Sequence, residues 1–183
     1  MDITTIILTF NEEKNIAAAI NSIKKLSKDI YVIDSFSTDD TVKIATDLGA
    51  KVIKHEFVNQ AQQFQYALDT INIETEWVLR LDADERISEE ASQEIIEKMH
   101  SVDASVNGIV VPFEVTFLGK KLKHGGIYPF KKMILFRHRK AFMEQRHMDE
   151  HIVLKEGKSI SLKSISFHED YKDLTTWIDK HNR

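Results

Sequence analysis

Apolar residues fall into two alternating rhythms along the first hundred positions. Ile3 to Thr9 is an almost unbroken β-branched run, which suits a strand covered on both faces in the middle of a parallel sheet. Ile16, Ala19, Ile20, Ile23 and Leu26 then recur at helical spacing. Asn11 stands where a helix cap would, with Glu12 and Glu13 near the positive end of the dipole. The alternation repeats with a strand at Ile30–Ile33, a helix from about Thr38 to Leu48 that Gly49 can end, and a strand at Lys51–Lys54. A helix around Gln60 to Ile71, a strand at Trp77–Leu81 and a helix from Ser88 to about His100, capped by Ser88, complete the series. Strands separated by helices predict right-handed crossovers, a parallel sheet, and a ligand crevice at the strands' carboxyl ends.

From Gly108 the pattern changes. Extended segments at Gly108–Leu118, Met133–Arg137 and Ile160–Phe167 precede a helix from about Asp173, so the second half is expected to be mixed α+β packed on the first. With 183 residues and neither a repeat nor a Pro/Gly-rich linker, the chain reads as one domain, residues 1–183, with halves at 1–106 and 107–183. Hydrophobic residues at 42% and only 6 Gly and 2 Pro exclude a disordered or collagenous chain.

Charge and cysteine content narrow the function classes. Lys+Arg 25 against Asp+Glu 29 gives −4, which disfavours nucleic acid as a partner. Zero Cys rules out disulfides, thiolate zinc sites and a cysteine nucleophile. With no signal-like start and no apolar run of membrane-spanning length, a cytoplasmic protein is expected. The average hides a basic block between Val115 and Met143: Lys120, Lys121, Lys123, Lys131, Lys132, Arg137, Arg139 and Lys140, without an acid. Such a block is expected to meet an anion, whether on a phosphorylated ligand or on an anionic membrane surface at the periphery.

The sharpest chemical feature is Asp82-Ala83-Asp84-Glu85, directly after an apolar strand. Three carboxylates within four residues repel unless they are solvated or bridged by a hard cation such as Mg²⁺ or Mn²⁺. An Asp-rich turn capping the next helix is the plainer reading of an isolated D-x-D. An EF-hand is excluded, because Arg86 and Ile87 stand where its loop needs an oxygen ligand and a glycine.

Together, Leu8-Thr9-Phe10-Asn11-Glu12, Ile33-Asp34-Ser35-Phe36-Ser37-Thr38-Asp39-Asp40-Thr41 and Leu81-Asp82-Ala83-Asp84-Glu85, each after a strand and in this order, resemble the GT-A glycosyltransferases of family 2. Within that family, Gln63-x-Gln65-x-Ala67-Leu68, Gly125-Gly126-x-Tyr128-Pro129, and His168 followed by Trp177-x-x-Lys180-His181-Asn182-Arg183 are similar to the lipopolysaccharide-core β-glucosyltransferase type of cell-envelope biogenesis. The fold implied is GT-A: an α/β, Rossmann-like, mainly parallel central sheet flanked by helices, with the mixed second half on the acceptor side. The resemblance also implies that the chain stops before the family's further helices.

The activity implied is inverting, metal-dependent transfer of a hexose from a nucleotide sugar, UDP-linked, to a bacterial surface-glycan or lipid-linked acceptor. Thr9, Asn11, Glu12, Asp34, Gln63, Gln65 and Asp82 would contact the nucleotide sugar, although Ser35 and Phe36 replace the family's second Asp and small Gly. Asp84 would hold the divalent metal, Mn²⁺ or Mg²⁺, with His168 completing the shell and Glu85 in support. Glu150 is the first choice for the base and Asp149 the second, the latter standing where the family usually has His. Lys123, Gly125, Gly126 and Tyr128 would face the acceptor. Two other readings compete. A nucleotidyltransferase is disfavoured because Thr9-Phe10-Asn11-Glu12 is not a glycine-rich basic loop. A catalytically degenerate sugar-nucleotide-binding or scaffold domain is the alternative outside enzymes.

Overall fold

The structure, a computed structural model, describes residues 2–125, 128–144, 151–175 and 178. The first half alternates as expected: β1 (Ile3–Thr9), α1 (Ile16–Ile23), β2 (Asp29–Asp34), α2 (Thr41–Asp47), β3 (Lys51–Lys54), α3 (Gln60–Thr70), β4 (Trp77–Asp82), the short β5 (Glu85–Arg86) and α4 (Glu89–Ser101). Strands follow: β6 (Val106–Phe117), β7 (Lys120–Lys121), β8 (Phe130–Arg137), β9 (Ala141–Met143), β10 (Ile152–Leu154), β11 (Lys158–Ser161) and β12 (Ser166–Glu169). Among the described residues the second half is built mainly of strands. The helix expected from about Asp173 falls within the described residues only at 174, 175 and 178.

One sheet runs β3-β2-β1-β4-β8-β6-β12-β5 and crosses both halves of the chain. β1 lies between β2 and β4, parallel to both, as its unbroken apolar run predicts. β8 pairs antiparallel with both β4 and β6, so β6, and β12 parallel to it, point the same way as β4. The carboxyl ends of β1, β2, β4 and β12 consequently share one edge.

Both faces of the sheet are covered because β1, β2 and β4 send successive side chains to opposite sides. On one side Ile3, Ile7, Val32, Leu79 and Leu81 pack against Ile16, Ala19, Ile20 and Ile23 of α1, Ala45 of α2, and Ala91 and Ile95 of α4. On the other side Ile6, Ile33, Val78 and Phe136 meet Ala61, Phe64 and Ala67 of α3, with Ala141, Met143 and Ile152 of the β9–β10 hairpin. Ser88 caps α4 as expected, its Oγ accepting from the Ala91 N–H at 3.1 Å. Gly49 ends α2 at φ +90°, a conformation that costs glycine little.

The expected cap at Asn11 is not made. α1 starts at Ile16 behind Asn15, and Asn11 is instead at φ +53°, where its Oδ1 accepts from the Thr38 N–H at 2.8 Å. An Asn tolerates the left-handed region and is used here to join the first two strand-end loops.

Candidate active site

At the shared strand edge, β4 delivers Asp82 as its last residue, the chain turns at 83 and 84, and β5 pairs antiparallel with β12. That pairing sets Glu85 opposite His168 and brings the Glu169 N–H to the Asp84 carbonyl at 2.9 Å. Asp84 Oδ2 lies 3.7 Å from His168 Nε2, and Glu85 Oε1 lies 3.8 Å from His168 Nδ1. Asp82, Ala83, Asp84 and His168 line a cleft of about 430 Å³ with Glu12, Lys172 and the apolar residues of β6 and its turn. Burial works against a charged His168, but the Asp84 and Glu85 carboxylates outweigh it and hold the ring above the ordinary histidine pKa.

Two cations enter the acid cluster from strands. The Lys132 ammonium of β8 contacts Asp82 Oδ2 and lies 2.9 Å from Glu85 Oε1. Arg80, two residues before Asp82 on β4 and only 2% exposed, sets its guanidinium 3.5 Å from Asp82 Oδ1 and donates to Gln60 at 2.8 Å. Burial opposes ionisation of Asp82, yet Lys132 and Arg80 push its pKa far below the usual carboxylate range.

A third cation closes the far wall. Lys172 Nζ lies 2.6 Å from Glu12 Oε1, and Asn15 Nδ2 donates to Glu12 Oε2 and Asp170 Oδ1, each at 2.8 Å. Asn15 Oδ1 also accepts from the Tyr171 N–H at 2.9 Å. This network ties the segment after β12 to the loop after β1. Burial raises the Glu12 pKa, with Lys172 and Asn15 acting in the opposite direction.

The other expected site residues divide by position. Asp34 is fully buried at the end of β2 and accepts from Thr9 Oγ1 at 3.1 Å, from the Ser37 N–H at 2.9 Å and from the Ser37 hydroxyl. Gln63 is buried, donates to Ser35 Oγ at 3.0 Å and meets His55 Nδ1 at 2.7 Å, so α3 is joined to the loops after β2 and β3. Gln65 points elsewhere on the same helix: it donates to Asp69 and lines a separate surface depression with Asn72 and Arg139. Lys123, Gly125 and Tyr128 are exposed. Gly126, Asp149 and Glu150 lie outside the described residues. Within the basic block, Lys121 pairs with Glu114, Arg137 with Glu76 and Lys140 with Glu156, and Lys132 turns into the acid cluster, so part of its charge is met by the chain's own acids.

Residues 4–153 match the family model described as Glycosyl transferase family 2. The chain belongs to that family. An uncharacterized glycosyltransferase of Rickettsia typhi is 46% identical over 93 residues, which are 51% of this chain and 31% of the relative. The glycosyltransferase SunS of Bacillus subtilis is 35% identical over 122 residues, 64% of this chain and 28% of its own length. The chain thus spans about a third of the curated relatives it matches.

Among solved structures, a mycobacterial protein superposes with a TM-score of 0.61 at 15% identity, covering 94% of this chain and 68% of the other. Residues 1–349 of S. aureus TarS give 0.60 at 18% identity, covering 92% and 60%. Glucosyl-3-phosphoglycerate synthase from Mycobacterium tuberculosis, in complex with Mn²⁺, UDP-glucose and phosphoglyceric acid, gives 0.51 at 20% identity over 61% of this chain and 43% of that one. The architecture of the chain is GT-A. Among the described residues, no helix is long and apolar enough to cross a membrane.

Lys132, Arg80, Asn15, Asp170 and Lys172 are the site residues that motif reading did not assign. Arg80 left a signal as a lone cation inside the apolar run Trp77–Leu81, and Lys132 only as one of the eight cations of the basic block.

Proposed function

We propose that this family 2 glycosyltransferase is an inverting, metal-dependent hexosyltransferase, taking its sugar from a UDP-linked donor and passing it to a hydroxyl of a surface-glycan or lipid-linked acceptor. The observation that carries the reading is the side-by-side placement of Asp84 Oδ2 and His168 Nε2, 3.7 Å apart, on the wall of a cleft at the carboxyl edge of the sheet. A likeness in fold to a synthase solved with Mn²⁺ and UDP-glucose supports the same choice of ligands.

The donor set fits a hard divalent cation. A carboxylate and an imidazole are suitable ligands, and Mg²⁺ and Mn²⁺ commonly complete their shell with substrate phosphates and water. The fit extends behind the ring: His168 Nδ1 is buried without a hydrogen-bond partner and faces Glu85 at 3.8 Å, where ligating histidines commonly keep a carboxylate. Asp84 and His168 would hold the ion, which when bound would neutralise charge on the departing diphosphate.

The remaining steps belong to the chain's own side chains. Glu12 and Lys172 line the same cleft as the acid cluster. Thr9 and Ser37 bond to the buried Asp34, while Asn11 and Gln63 bond to Thr38 and Ser35, so these residues hold the strand-end loops that would border the nucleotide. At the acceptor, Glu150, with Asp149 as the alternative, takes the hydroxyl proton as the oxygen bonds to the anomeric carbon and the bond from that carbon to the diphosphate breaks. Lys123, Gly125, Gly126 and Tyr128 are assigned to the acceptor side. The lipopolysaccharide-core likeness supports a bacterial envelope glycan and contact with an anionic membrane surface.

The test is release of UDP from UDP-hexoses with purified protein and Mn²⁺. Turnover that falls at least about a hundredfold in Asp84→Asn and in His168→Ala supports the reading. Equal turnover in EDTA, or in Asp84→Asn, would refute the metal assignment, and tight UDP-sugar binding without release would point to the non-catalytic binder.

A further inference from the structure

We infer that Lys132 is the built-in cation of the acid cluster, occupying the charge of Asp82 and Glu85 so that a divalent ion is admitted together with the donor's diphosphate rather than by the protein alone. This rests on the reading above and adds an order of assembly to it.

Three carboxylates in four residues would make a strong cation trap if nothing opposed them, because affinity for a hard cation rises with the number of charged ligands. Here two of them are already engaged from across the sheet. Lys132 contacts Asp82 and lies 2.9 Å from Glu85 Oε1, with its side chain 15% exposed and that of Glu85 only 1% exposed. Arg80 adds a second fixed charge 3.5 Å from the other Asp82 oxygen. With Lys132 and Arg80 against Asp82 and Glu85, and His168 beside Asp84 and Glu85, the turn keeps little net negative charge of its own. Consistently, no group of three or more acidic or histidine side chains is arranged to hold an ion among the described residues. A diphosphate brings the oxygen ligands and negative charge that the cluster itself lacks.

Lys132 reaches the two acids that flank Asp84, across 50 and 47 positions of sequence, on the strand that separates β4 from β6. Its position next to the candidate ligands makes it a positioning residue for the ion site.

Mn²⁺ binding followed by electron paramagnetic resonance, for wild type, Lys132→Gln and Lys132→Arg, each with and without UDP, tests the inference. The expected result is weak Mn²⁺ uptake by wild type alone, strong uptake with UDP, and UDP-independent affinity raised about tenfold or more in Lys132→Gln. Lys132→Arg should behave as wild type, and adding Asp82→Asn to Lys132→Gln should remove the gain. Removal of the ammonium leaves buried charge unpaired, so thermal melting provides a second readout: Mn²⁺ alone should stabilise Lys132→Gln more than wild type. Equal Mn²⁺ affinity in Lys132→Gln and wild type, with UDP-coupled uptake intact in both, overturns the inference and leaves the functional reading standing. A Lys132→Gln protein that stays unfolded with Mn²⁺ present also overturns it. No Mn²⁺ uptake by wild type with UDP refutes the functional reading and this inference with it.

Discussion

The tie between Glu12 and Lys172 offers a direct test of how the cleft is held together. Lys172→Met removes an ammonium 2.6 Å from Glu12 Oε1 while keeping most of the side chain's apolar stem. Both partners are largely sequestered, with side-chain exposures of 9% for Lys172 and 12% for Glu12, so the orphaned carboxylate cannot simply turn to water. Breaking a buried pair from one side costs about 3–5 kcal/mol; Glu12 keeps its bond from Asn15 and can take up a proton, so about 2–3 kcal/mol is expected here. For a domain of this size that is a fall in melting temperature of roughly 5–10 °C.

The pH dependence has a defined sign. Burial already raises the Glu12 pKa in the folded state, so the native protein holds that proton to higher pH than the unfolded chain does. Stability from this group therefore declines as pH rises from the ordinary glutamate value through the raised one. Without Lys172 the window extends further upward, and the deficit of the variant should be larger at pH 8 than at pH 5. Urea unfolding at both values measures this, and the Glu12→Gln/Lys172→Met pair should recover most of the loss, a coupling of about 1.5–2 kcal/mol. A deficit below about 0.5 kcal/mol, or one equal at the two pH values, would refute the account of a sequestered pair.

Three further outcomes follow from local geometry. Gly157 sits at φ +78° with a virtual Cβ 2.4 Å from the Ser105 carbonyl, so Gly157→Ala should cost about 2–3 kcal/mol in urea unfolding, whereas an unchanged midpoint would show that the turn before β11 yields. Glu94 on α4 accepts the N–H groups of Lys163 and Ser164 at 2.8–3.1 Å, which lower its pKa against a burial effect that would raise it. Glu94→Ala should therefore lose about 1 kcal/mol at neutral pH, a difference complete above the ordinary glutamate pKa and fading as pH falls through the lower folded value; a pH-independent difference would count against it. UDP with Mn²⁺ should raise the melting temperature more than either alone, with EDTA reversing the excess, and a purely additive pair of shifts would argue against a shared site.

The parts of this fold that were legible in the sequence are those fixed by near neighbours. β1 and β4 could be read because strands covered on both faces are nearly continuous apolar runs, broken in β4 only by Arg80, and α4 because its cap lies three residues from the N–H it satisfies. The D-x-D turn was legible for the same reason: its three acids are adjacent, and the strand before them fixes the edge on which they emerge. The counter-charges were not, because their partners are set by pairings that no local pattern records. Lys172 meets Glu12 across 160 positions.

Lys132 is the more instructive case. It belongs to the basic block whose composition points to an anion outside the chain, and the register of β8 against β6 shifts between Ile109 and Val110, whose partners are Leu135 and Met133. An extra residue at that point breaks the two-residue alternation, so the inward direction of Phe136 cannot be carried back along the strand to Lys132. The same topology explains why the acid cluster cannot be understood from its own motif. The ligand candidate His168, the support Glu85 and the cation Lys132 meet only once β8 has inserted between β4 and β6 and β5 has crossed to pair with β12. Motif adjacency supplies the negative charge, and sheet order decides what balances it. A substitution that slips the β8 register by one residue should therefore disturb the acid cluster while leaving every residue of the motif in place.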